Sequence, residues 1–177
     1  MNDSILDAIE KRSSTRSYAA GKPTDAEVEA LLKAGLQAPT AANRQEIHIS
    51  VVDGDNPVLA EIEAEKNALA GGKVPGVNFY YDAPLVLVLS GDRDFSWSAL
   101  DAGIAVENIA LAAEGLGLGS VIIGIIKGAM SGNKKDHFAE ALKFPENYEF
   151  EIAVAIGRKA AGKDPHTYDM ERNVSYI

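Results

Sequence analysis

Cysteine is missing from this 177-residue chain, so disulfides, thiolate chemistry and cysteine-based metal sites are all excluded. Its three histidines, at positions 48, 137 and 166, have no ligand spacing with any carboxylate, and no catalytic metal is expected. No apolar run approaches the length of a bilayer span, and the opening Met1-Asn2-Asp3-Ser4-Ile5-Leu6 has neither a basic nor an apolar leader region. A cytoplasmic protein without a membrane partner is expected. Positive charge is scarce as well. Seventeen basic residues against twenty-six acidic ones leave a formal net charge of -9, which disfavours nucleic acid as a partner. What is present is a hydrophobic fraction of 46%, enough to bury a sizeable core as one domain over residues 1–177. A second full nucleotide-binding domain does not fit.

Residues 3–11 read as a short helix capped by Asp3, with Ile5, Leu6 and Ile9 on one face and Lys11 and Arg12 at its end. Thr24-Asp25-Ala26-Glu27 is a capping box, and Val28, Leu31, Leu32, Gly35 and Leu36 follow at helical spacing until Pro39. Ile47 to Val52 alternates as a strand, and Pro57 opens a helix toward Leu69. Gly71 to Gly76 is a break expected to be mobile. Leu85 to Leu89 is a continuous apolar run between Pro84 and Gly91, as expected of a strand covered on both faces.

Residues 98–116 form a helix of small apolar residues nearly all round, among them Ala99, Ala102, Gly103, Ala105 and Ala112. Such a helix is expected to be buried on every side, more easily by a second subunit than by one small domain. A charge at Ala105 or Ala112 is expected to break that subunit contact. Ser120 to Ile123 reads as a strand, His137 to Leu142 as part of a helix, and Phe150 to Ile156 as the last strand. The tail after Lys159 has no periodicity, and reads as a docked arm or as disorder. The order of elements predicts an α+β layered fold.

Three short patterns lose their apparent meaning in context. Gly115-Leu116-Gly117-Leu118-Gly119 closes a helix and enters a strand, the reverse of a phosphate-binding glycine loop, so it reads as a helix cap with tight packing. Gly71-Gly72-Lys73 lacks the upstream glycine and the following hydroxyl of a Walker loop. Ser131 to Lys134 reads as a turn and helix start.

The chain's most informative segment is Lys11-Arg12-Ser13-Ser14-Thr15-Arg16-Ser17-Tyr18, followed by Ala38-Pro39-Thr40-Ala41-Ala42-Asn43-Arg44-Gln45. Two guanidinium groups suit a phosphate dianion, and the hydroxyls and side-chain amides suit the polar edge of a heterocycle. Here the chain resembles the nitroreductase family of flavin enzymes, which opens with an Arg-x-Ser-x-Arg/Lys element and continues to a Pro-Ser/Thr-x-x-Asn-x-Gln loop. Asp101 to Gly119 and the run ending at Gly157 are similar to the family's later blocks.

The resemblance implies a three-layer α/β/α sandwich with a central, mainly antiparallel sheet. It implies a homodimer with flavin at the interface, and a C-terminal arm, residues 160–177, exchanged between subunits. It also implies FMN as cofactor, held by Arg12, Ser13, Ser14 and Arg16 of one subunit and by Pro39, Thr40, Ala41, Asn43 and Gln45 of the other. Asn78 would read the pyrimidine edge, the backbone at Ile123 and Gly124 would face the ring, and Lys163, or else Arg158, would give the phosphate a second clamp. No side chain is expected as a catalytic acid or base, because the flavin carries the chemistry. NADH or NADPH would be the donor and a small electron-poor molecule, such as a nitroaromatic or quinone, the acceptor, in a ping-pong sequence. The alternative is an FMN storage or sensor protein without turnover. The chain departs from the family in having Glu46-Ile47 where Pro-Trp is common, and it lacks a long excursion before the apolar strand. Trp97, Phe79 and Tyr80 would either stack on a substrate or pack.

Overall fold

The computed structural model describes residues 4–71 and 77–177. The expected cap Asp3 and most of the expected glycine-rich break lie outside the described residues. Among the described residues seven α-helices and five strands follow in the order α1 (Ser4–Lys11), β1 (Tyr18–Ala19), α2 (Asp25–Leu36), β2 (His48–Asp53), α3 (Pro57–Leu69), β3 (Leu85–Asp92), α4 (Ser98–Gly115), β4 (Leu118–Ile123), α5 (Lys127–Ser131), α6 (Lys135–Ala141), β5 (Tyr148–Lys159) and α7 (Met170–Asn173). Local chemistry sets the helix starts. Thr24 accepts from the Glu27 amide while the Glu27 carboxylate accepts from the Thr24 amide at 2.7 Å, closing the capping box of α2. Asn56 caps α3 by accepting from the Val58 amide, with Pro57 in the first turn.

Among the described residues the four strand ladders are antiparallel: β2 with β3, β3 with β5, β5 with β4, and the short β1 with the end of β5. The twelve-residue β5 is the spine. It pairs with β3 along one edge and with β4 along the other, and it begins earlier and ends later than its apolar pattern predicts. The apolar run in β3 divides by parity. Leu85, Leu87 and Leu89 face α2 and α4, whereas Val86 and Val88 face the core shared with α3, α5 and α6. The sheet is therefore covered on both faces, and the layers are α/β/α. Phe79 is buried in the second core edge-on to Tyr80, so its role is packing, while Trp97 stands half exposed before α4.

Helix α4 departs from expectation. Ala102, Ala105, Val106, Ile109, Ala110 and Ala113 are buried against the sheet and α2, but Ala99, Leu100 and Gly103 are exposed. Ile5, Leu6 and Ile9 of α1, which packs against α4, are also exposed. One chain covers only one stripe of this helix, since a single sheet meets a helix along one face. Ala105 belongs to the chain's own core at 1% exposure, so it cannot report a subunit contact. Residues 160–177 run over the surface, exposed throughout, with the single turn α7 capped by Asp169. Among the described residues no helix is long and apolar enough to cross a membrane, and no cluster of His, Asp or Glu is arranged to hold a metal.

Candidate cofactor site

After α1 the chain leaves the helix and crosses the sheet. The Thr15 amide donates to the Ser120 carbonyl at 2.8 Å on the outer edge of β4, where Ser14 and Ser120 form a parallel bridge. Four residues later Tyr18 pairs with Lys159 on the opposite edge of β5. Between these points the segment passes over Gly119 and Gly157, which sit opposite each other in the β4–β5 ladder. A Cβ on Gly119 would lie 2.5 Å from the Thr15 hydroxyl oxygen, and one on Gly157 would lie 2.8 Å from the Tyr18 ring. Two facing glycines thus make the crossing possible, the meaning that glycine inside a strand often carries. The Tyr18 hydroxyl lies 3.1 Å from the carbonyls of Thr15 and Ala155. Burial raises its pKa above the ordinary value, the Tyr81 phenol adds to this, and Arg16 opposes it.

The crossing segment forms one wall of a cleft of about 240 Å³, lined by Ser13 to Ser17 and, opposite, by Ala161, Gly162 and Lys163. Arg12 is mostly buried, with Nε 3.3 Å from the Glu107 carboxylate of α4. Arg16 is exposed, lies 5.9 Å from the Tyr81 ring centroid, and pairs with no carboxylate among the described residues. Arg16, Lys163 and the serine hydroxyls therefore offer charge and donors to an anion, against an acidic background. That donor set fits a phosphorylated ligand. Gly124, exposed at the end of β4, lies four strand positions from Ser120, roughly 13 Å along the same edge at about 3.3 Å per residue.

Arg12, Ile123 and Gly124 do not line the cleft itself, and two further expected members are engaged elsewhere. The Arg158 guanidinium is held by the Glu27 carboxylate through two hydrogen bonds of 2.7 Å, tying β5 to α2. Asn78 spends both ends of its amide on Asp82, donating to its carboxylate at 2.6 Å and accepting from its backbone N–H. That turn nevertheless stands beside the cleft, because it carries Tyr81 to Arg16.

The second segment is built as a rigid loop. Ala42, Asn43 and Gln45 have φ values of 54, 53 and 53°, in the left-handed region that non-glycine residues seldom adopt. The Gln45 amide donates to the Thr40 hydroxyl at 2.9 Å, and the Ala41 amide to the buried Asp101 carboxylate of α4, also at 2.9 Å. Arg44 pairs with Asp92 at 3.2 Å and stacks 4.2 Å from the Phe95 ring. Asn43 and Gln45 are left exposed. Glu46 turns inward instead, both carboxylate oxygens buried without a hydrogen-bond partner. The loop meets α4 at Asp101, whereas Thr15 sits over Gly119, beyond the far end of that helix. At 1.5 Å per residue Asp101 and the Gly115 end of α4 are roughly 20 Å apart, with Glu107, the partner of Arg12, between them, and no residue of the loop lines the cleft.

A model of the nitroreductase family matches residues 9–158. The chain belongs to the nitroreductase family. This family member is 31% identical to a nitroreductase with bound FMN from Desulfitobacterium hafniense, with a TM-score of 0.89 and all of both chains covered. A nitroreductase with bound FMN from Bacteroides fragilis is 26% identical, with a TM-score of 0.87 and 98% of each chain covered. Among curated proteins, an FMN reductase (NADPH) of Bacillus subtilis is 28% identical over 93% of this chain and 70% of its own. The antiparallel sheet with helices on both faces is thus a nitroreductase fold. Glu107 shapes its candidate site without having been singled out by sequence, and Asp101, Gly119 and Gly157, named there only as parts of longer blocks, were given no role in the site. Glycines inside two strands, and an acid in the first turn of an apolar helix, were the available signals.

Proposed function

We propose that this nitroreductase-family chain is an FMN-dependent oxidoreductase that uses NADH or NADPH to reduce small electron-poor acceptors such as nitroaromatics or quinones. The observation that carries the reading is the cleft where Arg16, Lys163 and the hydroxyls of Ser13, Ser14 and Ser17 converge beside the free edge of β4. FMN, when bound, supplies hydride acceptance from nicotinamide and electron delivery to the acceptor. The chain's own residues bind and orient. Arg16 and Lys163 balance the phosphate charge, with Arg12 fixed alongside by Glu107. Ser13 and Ser14 serve the ribityl and pyrimidine side, and the backbone at Ile123 and Gly124 lines the place of the ring.

In this reading Pro39, Thr40, Ala41, Asn43 and Gln45 complete the site of a second copy. The distance between loop and cleft along α4 supports that, because a two-fold pairing of antiparallel α4 helices carries each loop toward the other cleft. The exposed stripe of Ala99, Leu100 and Gly103 and the exposed apolar face of α1 supply the surface for such a homodimer. Residues 1–177 act as one domain, with 160–177 as an arm onto the second copy, and the protein works in the cytoplasm with its nicotinamide pool.

The test is an absorbance spectrum of the purified protein followed by anaerobic titration with each nicotinamide. A flavin band that bleaches is expected. Protein that is colourless and takes up no added FMN overturns the reading, and a yellow protein that neither nicotinamide bleaches reduces it to FMN storage or sensing.

A further inference from the structure

We infer that Asp101 is a positioning residue for the flavin, acting through the 39–45 loop on the site of the opposite subunit rather than its own; the inference rests on the FMN reading above. Asp101 lies in the first turn of α4, 2% exposed, in a helix whose other buried side chains are small or apolar except Ser98. A carboxylate is costly to bury unless it is hydrogen-bonded. This one accepts from the Ala41 amide at 2.9 Å, and the N-terminal turn of a helix favours its charge. The bond holds the loop where it most needs holding. Of the four residues after Ala41, Ala42, Asn43 and Gln45 have positive φ, a backbone that persists only when its surroundings over-determine it.

The hydrogen bonds around the loop divide the work. Thr40 closes it by accepting from the Gln45 amide, and Arg44 ties its outer side to Asp92 and Phe95. Among the described residues Asp101 gives the loop its hydrogen bond to α4, the helix whose open stripe is assigned to the subunit contact. The cleft of the same chain is lined by none of the loop's residues, and Thr15 in its wall sits over Gly119, which follows the other end of that helix. Asp101 therefore sets Asn43 and Gln45 relative to the dimer axis, and the flavin that depends on its position is the one held by the other chain's Arg12, Arg16 and Lys163.

Complementation between two defective chains tests this. One chain carries Asp101→Ala, the other Arg12→Ala with Arg16→Ala, each bearing a different affinity tag so that mixed dimers can be isolated. The Asp101→Ala homodimer should bind FMN at least about tenfold more weakly than wild type, the weight of one hydrogen bond to a charged group, and the arginine double variant at least about a hundredfold more weakly. The mixed dimer should recover one wild-type-affinity site, because one cleft and one loop remain intact and face each other. Its visible circular dichroism should be half that of the wild-type dimer. Asp101→Asn, which keeps a side-chain oxygen for the Ala41 amide, should restore most of the affinity. A mixed dimer with no site of wild-type affinity, an Asp101→Ala homodimer that binds FMN as wild type does, or a yellow monomeric wild type would each overturn the inference. Should Asp101→Ala fail to fold, Thr40→Val, which removes the acceptor for the Gln45 amide, takes its place in the mixed dimer with the same two outcomes. Failure of the wild type itself to bind FMN would instead refute the flavin assignment.

Discussion

Gly119 and Gly157 face each other across the β4–β5 ladder, and Thr15 and Tyr18 occupy the space above them. The arginine-bearing segment is laid across the sheet because that pair has no side chains. Gly119→Ala should cost about 1–3 kcal/mol, since its methyl group would lie within 2.8 Å of three Thr15 side-chain atoms in a packed setting. Gly157→Ala meets Pro84 as well as Tyr18 and should cost at least as much. Urea unfolding measures both, and FMN affinity should fall with stability because the cleft wall is displaced. Wild-type midpoints for both variants would mean that the segment is not held by this contact.

Replacing Arg12 and Arg16 together by Ala should weaken FMN binding by at least ~3 kcal/mol, taking each charge-assisted contact at about 1.5–3 kcal/mol. The two arginines are not equivalent. Arg12 also neutralises Glu107, so Arg12→Ala alone should lower folding stability slightly, whereas Arg16→Ala should affect flavin affinity only. Fluorescence titration with FMN and thermal melts of the two single variants separate the roles.

The Glu27–Arg158 clamp should give the protein a component of acid sensitivity. The hydrogen bonds from Arg158, followed by that from the Thr24 amide, hold the Glu27 carboxyl down at about 2, below its ordinary 4.5. A depressed carboxyl pKa contributes stability above its unfolded value and loses it as pH falls through the folded one. The loss therefore runs from about pH 4.5 to pH 2. Urea midpoints measured down that range should fall more steeply for wild type than for Glu27→Gln, and equal slopes would show that the clamp contributes nothing.

The open stripe of α4 predicts a separation between assembly and folding. Leu100→Asp or Gly103→Glu places charge on a surface that one chain leaves exposed, so the monomer should stay folded while dimer and bound flavin are lost together. Ala105→Asp should instead prevent folding, because an unpaired charge would enter the core. Sedimentation velocity with far-ultraviolet circular dichroism distinguishes these results. A yellow dimer in the Leu100→Asp variant would place the subunit contact elsewhere.

Steady-state kinetics should be ping-pong, with parallel double-reciprocal lines and inhibition by each substrate at high concentration. No glycine loop of strand-to-helix order offers nicotinamide a site of its own, so donor and acceptor must use the same face of the flavin in turn. Intersecting lines, with a nicotinamide analogue that does not compete with the acceptor, would require a second pocket.

What the sequence determined by itself is local. The capping box at Thr24, the Pro57 helix start and the apolar run from Leu85 act over a few residues, through hydrogen bonds and side-chain periodicity that no distant partner needs to supply. The residue types of the cleft were equally readable, since two arginines with intervening hydroxyls stand out in an acidic chain. Only tertiary structure decided which of the two cations lines the cleft. Arg158 is drawn off by Glu27, 131 positions away, while Lys163 is left facing Ser13 to Ser17. The two-residue β1 and the crossing over Gly119 and Gly157 also escaped sequence reading, because they arise where separate strands meet and not from any pattern within one segment. The same holds for α4. Its composition announced burial all round, but which stripe the sheet covers, and which is left for another surface, depends on how the helix is rotated when it packs.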